Sequence, residues 1–220
     1  MATSTTENYL KAIYGLGQSS GSDRVATGAL AQRLGITPGT ATVMMKQLAD
    51  RKLVDYRARQ GVRLSDKGRA VALDVLRRHR LVELFLVEVM RLDWSEVHAE
   101  AELLEHVVSE RMLERMDEML GHPTHDPHGD PIPSSSGELP TLDLTALSEC
   151  GVGSYRLVRI LGDDPAFLTW LTGRGLHPGV NVQIEKRDAF AGTLLLRIED
   201  GKDSFGIGMT TAGRMMVEAG

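Results

Sequence analysis

Between Leu30 and Leu64 the residue pattern leaves the chain little choice of local fold. Leu30, Ala31 and Leu34 form one buried-type face that stops at Gly35. Thr37 then reads as an N-cap and Pro38 as the first residue of a second helix, with Ala41, Met44 or Met45, Leu48 and then Leu53 as its apolar set. Two helices across a four-residue turn containing glycine are a helix-turn-helix. Val54-Asp55-Tyr56 and Val62-Arg63-Leu64 alternate around RARQG, where Gly61 supplies the turn, and a hairpin after the second helix is a wing.

This winged helix points to DNA. The second helix turns Gly39, Thr40, Thr42, Val43, Lys46 and Gln47 away from the core, with Thr37 at its start, and these would enter a major groove. Threonine and valine methyls suit thymine, and Gln47 suits a base edge. Arg57, Arg59 and Arg63 on or beside the wing would meet phosphates, which makes binding strongly salt dependent. Charge agrees: residues 1–80 hold 14 Lys+Arg against 6 Asp+Glu, a net of +8 in a chain whose total is −5, so the remainder carries −13. A basic front and an acidic rear fit a polyanion partner before a cation site. The competing reading is a winged helix used for protein contacts.

The rear holds the second informative stretch, HAEAELLEH at 98–106. On a helix, His98, Glu102, Glu105 and His106 fall within an arc of roughly 100°. Imidazole and carboxylate side chains at this spacing suit a divalent metal such as zinc, manganese or iron(II); the plain alternative is a solvated charged face. Around it, residues 5–17 read as an amphipathic helix with Thr5 or Thr6 as N-cap. Ser65 caps a long helix to about residue 90 that carries His79 and Glu83 four apart. Ser109 starts another, with Met112, Met116, Met119 and Leu120, closed by Gly121. The wide apolar faces of these helices are explained by a symmetric dimer, as expected of a protein reading two half-sites. Residues 122–140, rich in Pro, Gly, Ser and His, read as loop and linker, in which His125, Asp126 and His128 stand out. Residues 151–220 read as short alternating strands of a small β-barrel.

The single cysteine, Cys150, excludes an internal disulfide framework. With no apolar leader and no run long enough to span a bilayer, the expectation is a soluble cytoplasmic protein with no membrane partner.

The leading TTENYLKAIY helix, the winged helix, RRHRLVELFL, VHAEAELLEHVVSE, HGDPIP and the terminal barrel together resemble the diphtheria toxin repressor family of metal-dependent transcriptional repressors, over nearly the whole chain. The resemblance implies a fold that is mainly α with small β: a winged-helix DNA-binding domain at 1–74, a helical dimerisation and metal-binding domain with linker at 75–140, and an SH3-like, FeoA-like barrel at 141–220. It also implies a homodimer that binds Mn(II) or Fe(II) at two sites per subunit. Metal binding would favour a palindromic double-stranded DNA operator and repress metal-uptake genes. The positions matching the first site are Asn8, Glu102, Glu105 and His106, and those matching the second are His79, Glu83 and His98. Asp126, His128 and Asp163 or Asp164 are further second-site candidates.

The departures are informative. Iron-type members have Met and Cys where this chain has Asn8 and Glu102, and manganese-type members have Asp and Glu; oxygen in place of sulfur suits manganese(II). Asn8 is neutral, and Lys11 stands where small manganese-type members have a further Glu. Streptococcal relatives show CPHG where this chain shows DPHG, whose Asp126 and His128 would join Glu83 and a barrel Asp. The Gln of iron-type barrels is replaced by Ala166. No HExxH or GxSxG motif occurs, so no enzyme activity is expected. The strongest rival is a metal-independent winged-helix regulator that senses an organic ligand.

Overall fold

The computed structural model of the chain describes residues 3–199, 201 and 203–220. It forms two compact units, one of Met1–His79 with Pro133–Glu138 and one of Arg80–Ile132 with Leu139–Gly220.

The first unit opens with α1 (Ser4–Ser20), capped by Thr3 rather than Thr5 or Thr6: the Thr3 hydroxyl accepts from the Thr6 amide at 3.3 Å, and Gly21 ends the helix at φ 61°. The helix therefore starts two or three residues earlier than the apolar pattern indicates, because a cap needs no apolar neighbour. α2 (Thr27–Arg33) and α3 (Pro38–Asp50) follow, with Gly35 at φ 63° in the turn between them and Thr37 capping α3. Met45, not Met44, is fully buried with Ala41 and Leu48, while Leu10, Ile13 and Leu30 supply the other helices' buried faces.

The wing is β1 (Val54–Arg57) paired antiparallel with β2 (Gly61–Leu64). Arg59, at φ 65°, and Gly61, at φ 98°, both take the positive φ that the turn requires. Gly61 is needed for a second reason: a Cβ there would stand 2.4 Å from the Val25 carbonyl oxygen, where Val25 bridges to Val62. α4 (Asp66–Glu88) begins in this unit, with the Ser65 hydroxyl accepting from the Gly68 amide at 3.1 Å.

In the second unit the later turns of α4 pack Val82 and Leu86 against Val97 and Ala101 of α5 (Val97–Leu104), and Leu81 packs with Leu113 of α6 (Glu110–Met119) and with Ile132. One expectation changes here. α5 stops at Leu104, where consecutive turn bonds from Val107 and Val108 to the Leu104 carbonyl release the chain for the Ser109 cap of α6, so His106 lies beyond the helix. On α6 the buried residue is Leu113, and Met112 and Met119 are more than half exposed.

The C-terminal part is a six-stranded sheet in the order β3 (Thr145–Ala146), β8 (Met215–Ala219), β4 (Gly153–Ile160), β5 (Asn181–Asp188), β6 (Thr193–Ile198) and β7 (Ser204–Gly208). All neighbours are antiparallel. The sheet runs from β3 to β7 without closing, so it is an open SH3-like sheet and not a closed barrel. β4 and β5 each carry a bulge, which bends the sheet around Leu157, Ile160, Leu168 and Ile184. Leu168 belongs to α7 (Pro165–Thr172), and α8 (Met209–Ala212) joins β7 to β8. Among the described residues no helix is long and apolar enough to cross a membrane.

Residues 122–132 are not the solvated linker the composition suggests. Asp126, His128 and Ile132 are buried, and the His128 carbonyl accepts from the Ile160 amide of β4 at 2.8 Å. Gly129, at φ 84°, leaves no room for a side chain: a Cβ would lie 2.0 Å from the Val158 carbonyl oxygen. Pro and Gly here allow tight packing against a strand instead of flexibility.

Candidate metal centre and DNA-binding face

α4 carries the first of the metal-type residues. Arg80 and Glu83 stand one turn apart on it, and Glu83 is 2% exposed. From α5, His98 presents Nδ1 to Glu83 Oε1 at 3.0 Å. Its other ring nitrogen, Nε2, lies 3.1 Å from the Asp163 carboxylate, in the turn before α7, and 3.7 Å from Glu102. His98 therefore sits among three carboxylates.

His128 reaches the same glutamate from the 126–130 loop. Its Nδ1 is 3.9 Å from Glu83 Oε2, its Nε2 is 3.3 Å from the Trp94 carbonyl, and its ring stacks on the Trp94 indole at 5.4 Å between centroids. A carbonyl only accepts, so Nε2 is the donor in that pair, which leaves Nδ1, on the Glu83 side, as the ring nitrogen available to a metal. Glu83, Asp126 and His128 each offer a ligand atom, all within 4.8 Å of one another.

Asp126 is held from two sides. One oxygen, Oδ1, accepts from the His128 and Asp130 amides at 2.8 and 2.9 Å, and the other, Oδ2, is 3.5 Å from Arg80 Nε. Burial pushes its carboxyl well above the usual carboxylate range, the nearby Asp130 and Glu83 add to this, and Arg80 and the Asp130 amide oppose it. A cation would reverse that penalty. The donors are imidazole nitrogens and carboxylate oxygens with no sulfur, a set that fits manganese(II) or iron(II).

The remaining candidates are placed as follows. His79 is buried on α4 one turn before Glu83. Asp164 caps α7, its Oδ1 accepting from the Ala166 amide at 3.0 Å. Glu105, fully buried, closes α5, with its Oε1 3.4 Å from His106 Nε2, while Asn8 lies on α1 in the first unit. The structure thus groups His98 with Glu83 and Asp163, whereas the helical-stripe reading grouped it with Glu105 and His106. Trp94, Arg80, Asp130 and Arg159, which frame the site, carry no sequence signal of metal binding and were not singled out.

On α3, Gly39, Thr40, Val43, Lys46 and Gln47 are exposed and Thr42 is half-buried. Not every hydroxyl faces outward. Thr37 and Thr40 bond each other at 2.9 Å at the cap, and Thr42 donates back to the Pro38 carbonyl at 2.8 Å. Arg63 is tied to Asp23 at 3.0 Å and Asp55 at 3.1 Å, and these carboxylates hold its guanidinium at the base of the wing. Arg57 is 3.6 Å from Asp55, and Arg59 is exposed at the wing tip.

Three family descriptions match in order: "Iron dependent repressor, N-terminal DNA binding domain" over residues 1–62, "Iron dependent repressor, metal binding and dimerisation domain" over 65–134, and "FeoA domain" over 145–219. The iron-dependent repressor IdeR of Mycobacterium leprae is 33% identical over 204 residues, covering 84% of this chain and 85% of that protein. A solved manganese-dependent transcriptional repressor in complex with manganese superposes with a TM-score of 0.88 at 38% identity, covering 97% of this chain and 99% of the other. ScaR with bound Cd2+ superposes with a TM-score of 0.79 at 34% identity, covering 97% and 99%. With a sequence relative above 30% identity along most of its length and three domain matches in the family's order, the chain belongs to the iron-dependent, or diphtheria toxin, repressor family.

Proposed function

We propose that this member of a metal-dependent repressor family acts as a homodimer on a palindromic double-stranded DNA operator, with Mn(II) or Fe(II) as corepressor at two sites per subunit, and represses metal-uptake genes. The observation that carries it is the convergence of Glu83, His98, His128 and Asp163 in a chain that also carries a basic winged helix. These residues, with His79 and Asp126, would hold the second-site metal. Asn8, Glu102, Glu105 and His106, the positions that match the family's first site, would hold the first. The corresponding domain division is 1–74, 75–140 and 141–220. Bound metal supplies positive charge that offsets the clustered carboxylates. Its effect on DNA binding is limited by its differential affinity for the two arrangements.

The carboxylate and imidazole donors suit manganese(II), and the replacement of sulfur removes what would favour softer, later metals. The relatives act as repressors and no catalytic role is assigned. Titrating the metal-free protein with Mn(II), anaerobic Fe(II) and Zn(II) by calorimetry tests the reading. Two ions per subunit, and tighter operator binding when they are present, are expected. No binding by any of the three metals leaves the organic-ligand regulator as the alternative.

A further inference from the structure

His128 reaches Glu83 from a loop with no helix or strand of its own, so something must fix where its imidazole stands. Trp94 meets the ring itself through its carbonyl and its indole, and three further contacts, all from β4 of the C-terminal sheet, hold the loop that carries it. The Ile160 amide donates to the His128 carbonyl at 2.8 Å. The Gly129 backbone lies directly against Val158 and Arg159, too close for any side chain. Arg159 Nη2 meets Asp130 Oδ1 at 2.5 Å, with Arg159 about one-third exposed and Asp130 about one-fifth exposed.

Asp130 passes this constraint back to the site. Its amide donates to Asp126 Oδ1, the same oxygen that accepts from the His128 amide, so the loop from 126 to 130 closes on itself through a single carboxylate. Asp130 Oδ1 also meets Arg80 Nη2, at 3.3 Å. Arg80 is the more distant of the two cations on Asp130, and its Nε and Nη1 face other partners, the Asp126 carboxylate and the Pro131 carbonyl.

We infer that Arg159 and Asp130 are positioning residues for His128, through which the C-terminal sheet sets the metal affinity of the Glu83–His128 site without supplying that imidazole itself. The inference rests on the metal-binding reading given above. Groups that orient a ligand typically change metal affinity by about 10–100-fold when removed, because the ligand must then be ordered at the moment of binding.

The test uses the full chain and Mn(II) calorimetry at fixed pH and salt, with Arg159→Gln, Asp130→Asn, the double variant, Arg159→Lys and, as reference, His128→Ala. His128→Ala identifies the titration step that belongs to this site. Each single variant is expected to weaken that step about tenfold and to leave the other step unchanged, and the double variant to weaken it no further than either single one. Arg159→Lys, which keeps a cation in reach of Asp130, recovers part of the loss. In the metal-free protein the imidazole NMR signals of His128 shift in Arg159→Gln while those of His106 stay, which general loosening of the fold would not produce. An unchanged step in Arg159→Gln, or losses that multiply in the double variant, overturns the inference. If His128→Ala binds as many ions as the parent chain, the metal-site reading itself fails, and the inference with it.

Discussion

His98 and Asp163 come from different halves of the second unit, one on α5 and the other in the turn between β4 and α7, yet imidazole Nε2 and carboxylate lie 3.1 Å apart. The neighbouring Asp164 has a separate task, since its side chain accepts from the Ala166 amide at the start of α7. The two aspartates of LGDDP are therefore separable by experiment.

Asp163→Ala is expected to weaken the His128-dependent metal step by about 10–100-fold while leaving thermal stability of the metal-free protein nearly unchanged. Asp164→Ala is expected to do the reverse, leaving the metal step intact and costing about 1 kcal/mol as a lost N-cap. Calorimetry for the first effect and urea unfolding for the second separate them; a metal defect in Asp164→Ala alone would reverse the assignment.

Asp126 sets a pH dependence in the metal-free state. Its carboxyl is raised by burial first and by Asp130 and Glu83 next, so the fold favours the protonated form. A group raised in this way contributes stability that is present in acid, below its unfolded pKa, and is lost as pH rises through the folded value. Asp126→Asn keeps an oxygen to accept from the two loop amides and removes the charge. It should therefore unfold at higher urea than the parent at pH 7 and at nearly the same urea at pH 3.5, both without metal. A variant less stable at pH 7 would show that Arg80 outweighs the burial.

Much of the fold was legible in the residues that punctuate it. Thr37-Pro38, Ser65 and Ser109 mark helix starts because a cap is a local hydrogen bond, and each is observed in its place. What was hidden is long-range. The apolar face of α6 is legible, but Met112 and Met119 on it are exposed in the single chain, since periodicity identifies an apolar face and not what covers it. The segment from 122 to 132 looked like linker because Pro and Gly permit both flexibility and close packing, and only the approach of Gly129 to Val158 decides between them. At the site, Glu83 and His98 could be picked out by residue type, whereas Trp94 contributes a carbonyl and a ring face, which no ligand pattern contains.

The wing arginines differ in what holds them. Arg63 is bound to Asp23 and Asp55, which raise its pKa further and fix its guanidinium at the wing base, whereas Arg59 is exposed at the tip. Each phosphate contact contributes about −0.9 to the slope of log K against log salt. Arg59→Ala should thus reduce the magnitude of the slope for binding double-stranded DNA by about 0.9. Arg63→Ala should leave the slope nearly unchanged and instead lower stability, measured by fluorescence titration across salt and by thermal melting. Equal slopes in the parent and Arg59→Ala would take Arg59 off the phosphate backbone.

Glu105 offers the most direct test of how metal reaches the DNA-binding face. It is fully buried at the end of α5, its Oε1 3.4 Å from His106 Nε2, and both belong to the proposed first site. Gln has the same shape as Glu but a neutral amide, a weaker ligand for a hard divalent cation than a carboxylate, so Glu105→Gln removes an anionic ligand while keeping the packing. A metal can shift a two-state equilibrium only by the ratio of its affinities for the two states, and moving it from 1:99 to 99:1 takes about 10⁴-fold preference. Losing one anionic ligand from the first site should erase most of that preference. The expected result is a variant that sediments as the parent does and still binds DNA selected by the parent, weakly and equally with or without Mn(II). Metal-activated binding by Glu105→Gln would separate the first site from the switch and leave the Glu83–His128 site to carry it.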